Sequence, residues 1–253
     1  MYPAQRGRLA ACKAAVVLQK QRNSRARPAH LHLHTRGTMQ KLLFSACFAF
    51  FVLIYSGNGM SQGLAAAPQI EVVGSDTTAT LVVYTTANGK RQELLRTQAN
   101  VGRNGCSDTK REGDGKTPVG VYEIRCGFGL ATPPVVNIAY TQLAGGEKWV
   151  DDVASAHYNQ WVTKDTAPVD WTSAEDLPKE TVAYKYVAVI EYNTETIVKG
   201  AGSAIFLHCT EGKPTSGCIS VSEEAMVKIL GLIQPGTRIV IARSDDELNS
   251  LTR

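Results

Sequence analysis

The chain has 253 residues, with 27 Lys and Arg against 23 Asp and Glu, a formal charge of +4. The basic excess is confined to the start: residues 1–67 hold nine basic residues and no acidic one, leaving 18 against 23, a net of −5, for the rest. Nothing basic remains there to suggest nucleic acid as a partner, and those 186 residues suffice for one sizeable core.

Residues 1–38 carry eight of those basic residues and three of the five histidines, in "HLHLH" at His30 to His34. The segment lacks periodicity, so it reads as an unstructured extension, or an upstream start that is not used, rather than a metal-binding or nucleic-acid arm. From Met39 the order changes to one lysine, an apolar run of 14 residues from Leu42 to Tyr55, and small residues ending in Ala65-Ala66-Ala67. That is the plan of a secretory signal peptide over 39–67; the run is shorter than the ~20 residues a spanning helix needs. Cleavage is expected near Ala65 to Ala67, with Pro68 disfavouring a cut directly after Ala67. Residues 68–253 are then one exported domain in the periplasm or cell envelope.

Short strands are predicted along this domain. "TLVVYTT", Thr80 to Thr86, is rich in β-branched residues, and Asn88-Gly89 behind it predicts a tight hairpin. A long polar loop from Arg103 leads past Pro118 into a strand over Val119 to Ile124. Further strands are expected at Val135 to Tyr140, Tyr184 to Tyr192 and Ala204 to Leu207, with an irregular aromatic segment around Trp149 to Val162. One helix follows Cys218: Ser220 and Glu223 fit a capping box, and Met226, Ile229, Leu230 and Ile233 repeat on one face. Pro235-Gly236 stops it, and Arg238 to Ala242 forms a closing strand. The fold class is mainly β, a closed or sandwich-like sheet with one clear helix.

Chemistry concentrates in "SAIFLHCTEGKPTSGCISVS", Ser203 to Ser222. One reading makes His208 a packed core histidine and Cys218 a small buried hydrophobe; the other makes them a base and a nucleophile. In the second, Cys218 lies just before a helix start, where unpaired N–H groups and the helix dipole would lower the thiol pKa and hold an oxyanion. Outside the extension the only other histidine is His157, read as a loop residue.

"GSAIFLH" at Gly202 to His208 and "PTSGC" at Pro214 to Cys218 resemble the end of the L,D-transpeptidase catalytic domain, and "KREGDGKTPVGVYEI" at Lys110 to Ile124 resembles its Thr-Pro-x-Gly hairpin. "WVDDVASAHYNQWV" at Trp149 to Val162 and "IEYN" at Ile190 to Asn193 look like a secreted branch of that family. The resemblance covers most of residues 70–242. It implies a largely β domain acting on peptidoglycan stem peptides without metal or cofactor. Cys218 would be the nucleophile, His208 the proton acceptor and donor, and backbone N–H groups near Gly217 and Cys218 the oxyanion donors. A thioester would form with loss of D-alanine and be resolved by a neighbouring amine into a cross-link. Where many members have Gly after the histidine, a second histidine before Gly-Cys, and Arg or Asn after the cysteine, this chain has Cys209, Ser216 and Ser220. Those departures leave hydrolysis by an L,D-carboxypeptidase, and a non-catalytic cell-wall binding module, beside transfer.

Ser216, Trp149, Tyr158 and Asn159 are candidate substrate contacts. Asp151 and Asp152 could line a groove or cap turns, Trp161 and Trp171 suit packing, and Arg111, Asp114 and Lys116 would fix the hairpin loop. Four cysteines remain after export, Cys106, Cys126, Cys209 and Cys218, and two disulfides among four can pair in three ways. None has the C-x-x-C spacing of a zinc or redox site. Cys218 must stay reduced to act, and Cys209 should face away from His208 on an extended strand. A Cys106–Cys126 bridge closing the polar loop is therefore expected, with Cys209 a buried thiol.

Overall fold

The computed structural model describes residues 66–253 other than 75 and 167. The expected extension over 1–38 and signal peptide over 39–67 lie outside these residues, apart from positions 66 and 67.

The first strand, β1 (Gln69–Val73), leads into β2 (Thr78–Ala87) and β3 (Lys90–Asn100). The β2–β3 connection is the predicted hairpin: Asn88 and Gly89 take φ of 52° and 71°, the two left-handed positions a type I′ turn requires. The polar loop that follows holds two short parallel strands, β4 (Cys106–Ser107) and β5 (Thr117–Pro118). It delivers β6 (Gly120–Gly129), longer than the strand expected to end at Ile124. The Val135 to Tyr140 strand is displaced: only Ala139–Gln142 pairs, as β7, while Val135 is exposed. The aromatic segment and its continuation form a small separate sheet, β8 (Lys148–Val150), β9 (Trp161–Val162) and β10 (Ala174–Asp176).

Tyr184 to Tyr192 is only partly extended. A 3₁₀ turn over Ala183–Lys185 precedes β11 (Val187–Ile190), followed by β12 (Phe206–Cys209) and β13 (Ile219–Val221). Helix α1 (Glu223–Leu232) starts later than the capping box implied: its cap is Ser222, whose Oγ accepts from Ala225 N at 3.2 Å. Ser220 is instead buried in β13 opposite Asn100, because the ladder claims its backbone. Strand β14 (Arg238–Ala242) is as predicted, and a short helix α2 (Asp245–Leu251), capped by Ser244, follows it.

Nine strands form one sheet in the order β11-β12-β13-β3-β2-β1-β14-β6-β7, and β11 also pairs with β6. The sheet thus closes on itself through β11 and β6, with β7 left as an edge strand on β6. Side-chain alternation divides the interior in two. On β11 and β12, Ala188, Ile190, Leu207 and Cys209 face a core shared with Met226, Ile229 and Leu230 of α1. Val187, Val189 and Phe206 face a second cluster with Phe128, Trp149, Tyr184 and Cys218. Full burial of each large aliphatic side chain contributes ~1.5–3 kcal/mol.

This division explains the cysteines. No disulfide joins Cys106 to Cys126. Cys106 packs against the first cluster from β4, whereas the alternation of β6 turns Cys126 into the second. Cys209 is a buried thiol on the face opposite Phe206, as expected, with its Sγ 3.8 Å from the Tyr186 carbonyl.

Candidate active site

The site begins with two parallel strands. Register pairs Leu207 with Ile219 and His208 with Ser220, so the turn entering β13 lies alongside β12. That turn is tied down by hydroxyls. Thr215 Oγ1 donates to the Cys218 carbonyl at 2.6 Å and accepts from Gly217 N at 3.1 Å. Thr117 of β5 reaches the same carbonyl at 3.3 Å while accepting from Gly102 N at 2.8 Å. The hairpin-loop threonine and the cysteine turn are thereby one unit. Gly217 has φ of 145°, and a Cβ there would lie 2.9 Å from the Lys116 carbonyl, so only glycine fits.

Within this frame the Cys218 thiol donates to the Ala204 carbonyl at 3.2 Å and its sulfur accepts from Phe206 N at 3.3 Å. Burial pushes its pKa up to about 12; the charge of Glu175 adds to that, and the Phe206 N–H and Lys110 oppose it. The resting group is a thiol, contrary to the expected helix-dipole activation. The reason is positional: α1 begins at Glu223, five residues on, with β13 between, and a helix terminus acts only within about its first turn.

His208 is buried, and its Nδ1 lies 2.8 Å from the Cys209 carbonyl oxygen. A carbonyl only accepts, so Nδ1 carries the proton and Nε2 keeps its lone pair. Burial lowers the His208 pKa, against the opposing effects of the Cys209 carbonyl and Glu211; the ring is neutral and able to take a proton. Tyr184 packs edge-on against it with centroids 5.6 Å apart.

His208 and Cys218 open on a common cavity of about 270 Å³, lined also by Glu175, Glu180, Tyr184, Glu211, Lys213, Thr215, Ser216 and Ser220. A neutral imidazole base, a thiol and a carbonyl orienting the imidazole, gathered on one cavity, are the parts of cysteine acyl transfer. Residues 70–241 match the family of the L,D-transpeptidase catalytic domain. The chain belongs to that family.

Among solved structures the chain is similar to the helical cell shape determining protein Pgp2 from Campylobacter jejuni, at 17% identity and TM-score 0.42 over 72% of this chain and 50% of that one. It is also similar to Bd1075 from Bdellovibrio bacteriovorus, at 16% and 0.39 over 74% and 53%. A third likeness is to L,D-transpeptidase 1 from Mycobacterium tuberculosis, at 14% and 0.29 over 69% and 62%. The chain spans about half the length of Pgp2 and Bd1075. Comparison with curated protein sequences finds no match.

In this L,D-transpeptidase-family domain, the expected substrate contacts separate. Ser216 lines the cavity and accepts from Arg103 Nη1 at 2.8 Å. Trp149, Tyr158 and Asn159 do not line it; they are buried at 3%, 1% and 3% exposure. They form the scaffold behind Cys218. Asn159 Oδ1 accepts from Trp149 Nε1 and from Ala204 N, its Nδ2 donates to the Tyr192 and Asn193 carbonyls, and Tyr158 OH accepts from Gly202 N. These bonds hold the Gly202–Ala204 segment whose carbonyl receives the thiol proton. Gly217, expected to give an oxyanion donor, has its N–H engaged by Thr215. Asp152 caps a turn through Ala154 and Thr172, and His157 stacks edge-on with Trp171 in a loop.

The sequence did not disclose Glu175 and Tyr184. The Tyr184 hydroxyl donates to Glu175 Oε2 at 2.5 Å. Burial raises the Glu175 carboxyl to about 7, the tyrosine opposing this and the charges of Asp151, Glu180 and Glu112 adding to it. No motif marks a lone Glu in β10; pairing of β10 with β8 places it. Among the described residues no group of His, Cys, Asp or Glu is arranged to hold a metal ion.

Proposed function

We propose that this domain is an exported cysteine L,D-transpeptidase acting on peptidoglycan stem peptides. The observation that carries the reading is the His208 imidazole, held by the Cys209 carbonyl with Nε2 unprotonated, on the same cavity as the Cys218 thiol. Family membership supports a peptidoglycan-directed activity.

Nε2 of His208 takes the proton from Cys218 as Sγ attacks the carbonyl of the residue preceding the terminal D-alanine. With the Gly217 N–H held by Thr215, the Cys218 backbone N–H is assigned as the oxyanion donor. The tetrahedral adduct expels D-alanine, whose amine receives the imidazolium proton, and a thioester remains. An amine of a second stem then attacks the thioester and releases the thiol. The thiol must leave its bond to the Ala204 carbonyl for this sequence to begin, a local side-chain rotation.

Export rests on the signal-peptide pattern of residues 39–67, and no helix among the described residues is long and apolar enough to cross a membrane. Incubation of the domain with a tetrapeptide stem tests the reaction. Transfer yields a dimer and D-alanine; tripeptide alone identifies an L,D-carboxypeptidase; absence of any acyl adduct identifies a cell-wall binding module with an inactive site.

A further inference from the structure

Lys110 is the only buried lysine or arginine among the described residues, its side chain 3% exposed. It comes from the polar loop between β4 and β5 and runs between the two segments that hold the nucleophile. A Cβ added at Gly202 would lie 2.8 Å from its Cε, and one at Gly217 would lie 3.2 Å from its Nζ. Its aliphatic stem therefore backs the segment leading to the Ala204 carbonyl, and its charge sits against the residue before Cys218. Asp114 Oδ1 receives the ammonium at 2.9 Å, and the Arg111 carbonyl lies 3.4 Å away. Asp114 is itself held by Arg111 N and Lys116 N, at 2.7 and 2.9 Å.

Burying a lysine costs more than an ion pair to one carboxylate returns, so such a pair is a poor stability device. An aliphatic residue would pack the same space. The charge has a use where an anion must form. The thiol is buried, and Glu175 on the cavity side disfavours its ionisation. Lys110 lies on the loop side and acts in the opposite sense.

We propose that Lys110 is a positioning residue that supplies the positive charge stabilising the Cys218 thiolate as His208 withdraws the proton. The proposal rests on Cys218 being the nucleophile. Its test needs no peptidoglycan, so it stands or falls apart from the reaction proposed above.

The rates of alkylation of Cys218 by iodoacetamide and by iodoacetate are measured against pH, with the modified residue mapped by mass spectrometry. In Lys110→Met the rate at pH 8 falls about tenfold, because the thiolate loses its cation. The loss is greater for anionic iodoacetate than for iodoacetamide, a difference that displacement of the loop alone does not produce. Where Lys110→Met fails to fold, Lys110→Gln, which removes the charge but keeps a polar end beside Asp114, carries the same reading. A profile and reagent ratio equal to wild type in either folded variant overturns the proposal.

Discussion

The Nδ1 of His208 lies 2.8 Å from the carbonyl oxygen of Cys209, its immediate neighbour in the chain. The peptide that carries the base also orients it, so no separate carboxylate is needed to fix the tautomer. This contact leaves Nε2 as the acceptor, so under the proposed mechanism loss of His208 should slow acylation while the Cys218 thiol remains. In His208→Ala, adduct formation with a stem peptide should fall by ~10²–10⁴, followed by intact-mass kinetics. His157→Ala should stay within about twofold of wild type; the reverse order would mean that the base is misassigned.

Cys218→Ala should abolish the covalent adduct altogether, including that from a carbapenem, while leaving the fold intact. Peptide mapping decides the matter, and an adduct on Cys209 would refute the assignment, because that thiol faces the other core.

Glu175 gives a pH signature. Its folded-state value of about 7 exceeds its ordinary 4.5, so between those values the folded state binds more protons than the unfolded one, and stability falls as pH rises through the interval. Glu175→Gln should remove that decline and gain on wild type in melting temperature at pH 8 but not at pH 4. The same change takes a negative charge from beside the thiol, so alkylation of Cys218 above pH 7 should accelerate several-fold. An unchanged difference in melting temperature between pH 4 and pH 8 would show that Glu175 keeps an ordinary pKa.

Gly217→Ala combines a strained backbone angle with a 2.9 Å contact to the Lys116 carbonyl. Denaturant unfolding should show a loss of ~1–3 kcal/mol, with activity lost beyond what stability explains, since the turn carries Cys218.

Asn159→Ala leaves buried partners on Trp149, Ala204, Tyr192 and Asn193. It should cost roughly 3 kcal/mol and slow acylation through the displaced Ala204 carbonyl. Loss of activity with unchanged stability would instead make Asn159 a substrate contact.

Local pattern was enough for the hairpin at Asn88-Gly89, the strand Arg238–Ala242, the buried face of α1 and the presence of a His and a Cys in one motif. Each follows from turn chemistry, side-chain period or residue type within a few positions. The long-range features were decided by pairing. Ser220 matched a capping box, yet the β13–β3 ladder took it and passed the cap to Ser222. The aromatic segment held no clear period because the small sheet of β8, β9 and β10 shapes it, and that sheet buries Trp149, Tyr158 and Asn159 as scaffold rather than substrate contacts. Sheet closure through β11 and β6 set Cys126 and Cys106 against different clusters and so excluded their bridge. The electrostatics of Cys218 belong to the tertiary structure as well. Residue types named the thiol and the imidazole, but the carboxylate of Glu175 and the ammonium of Lys110 that act on the thiol come from segments more than 40 residues distant in the chain. Charge acts through space, and only the folded chain sets those distances.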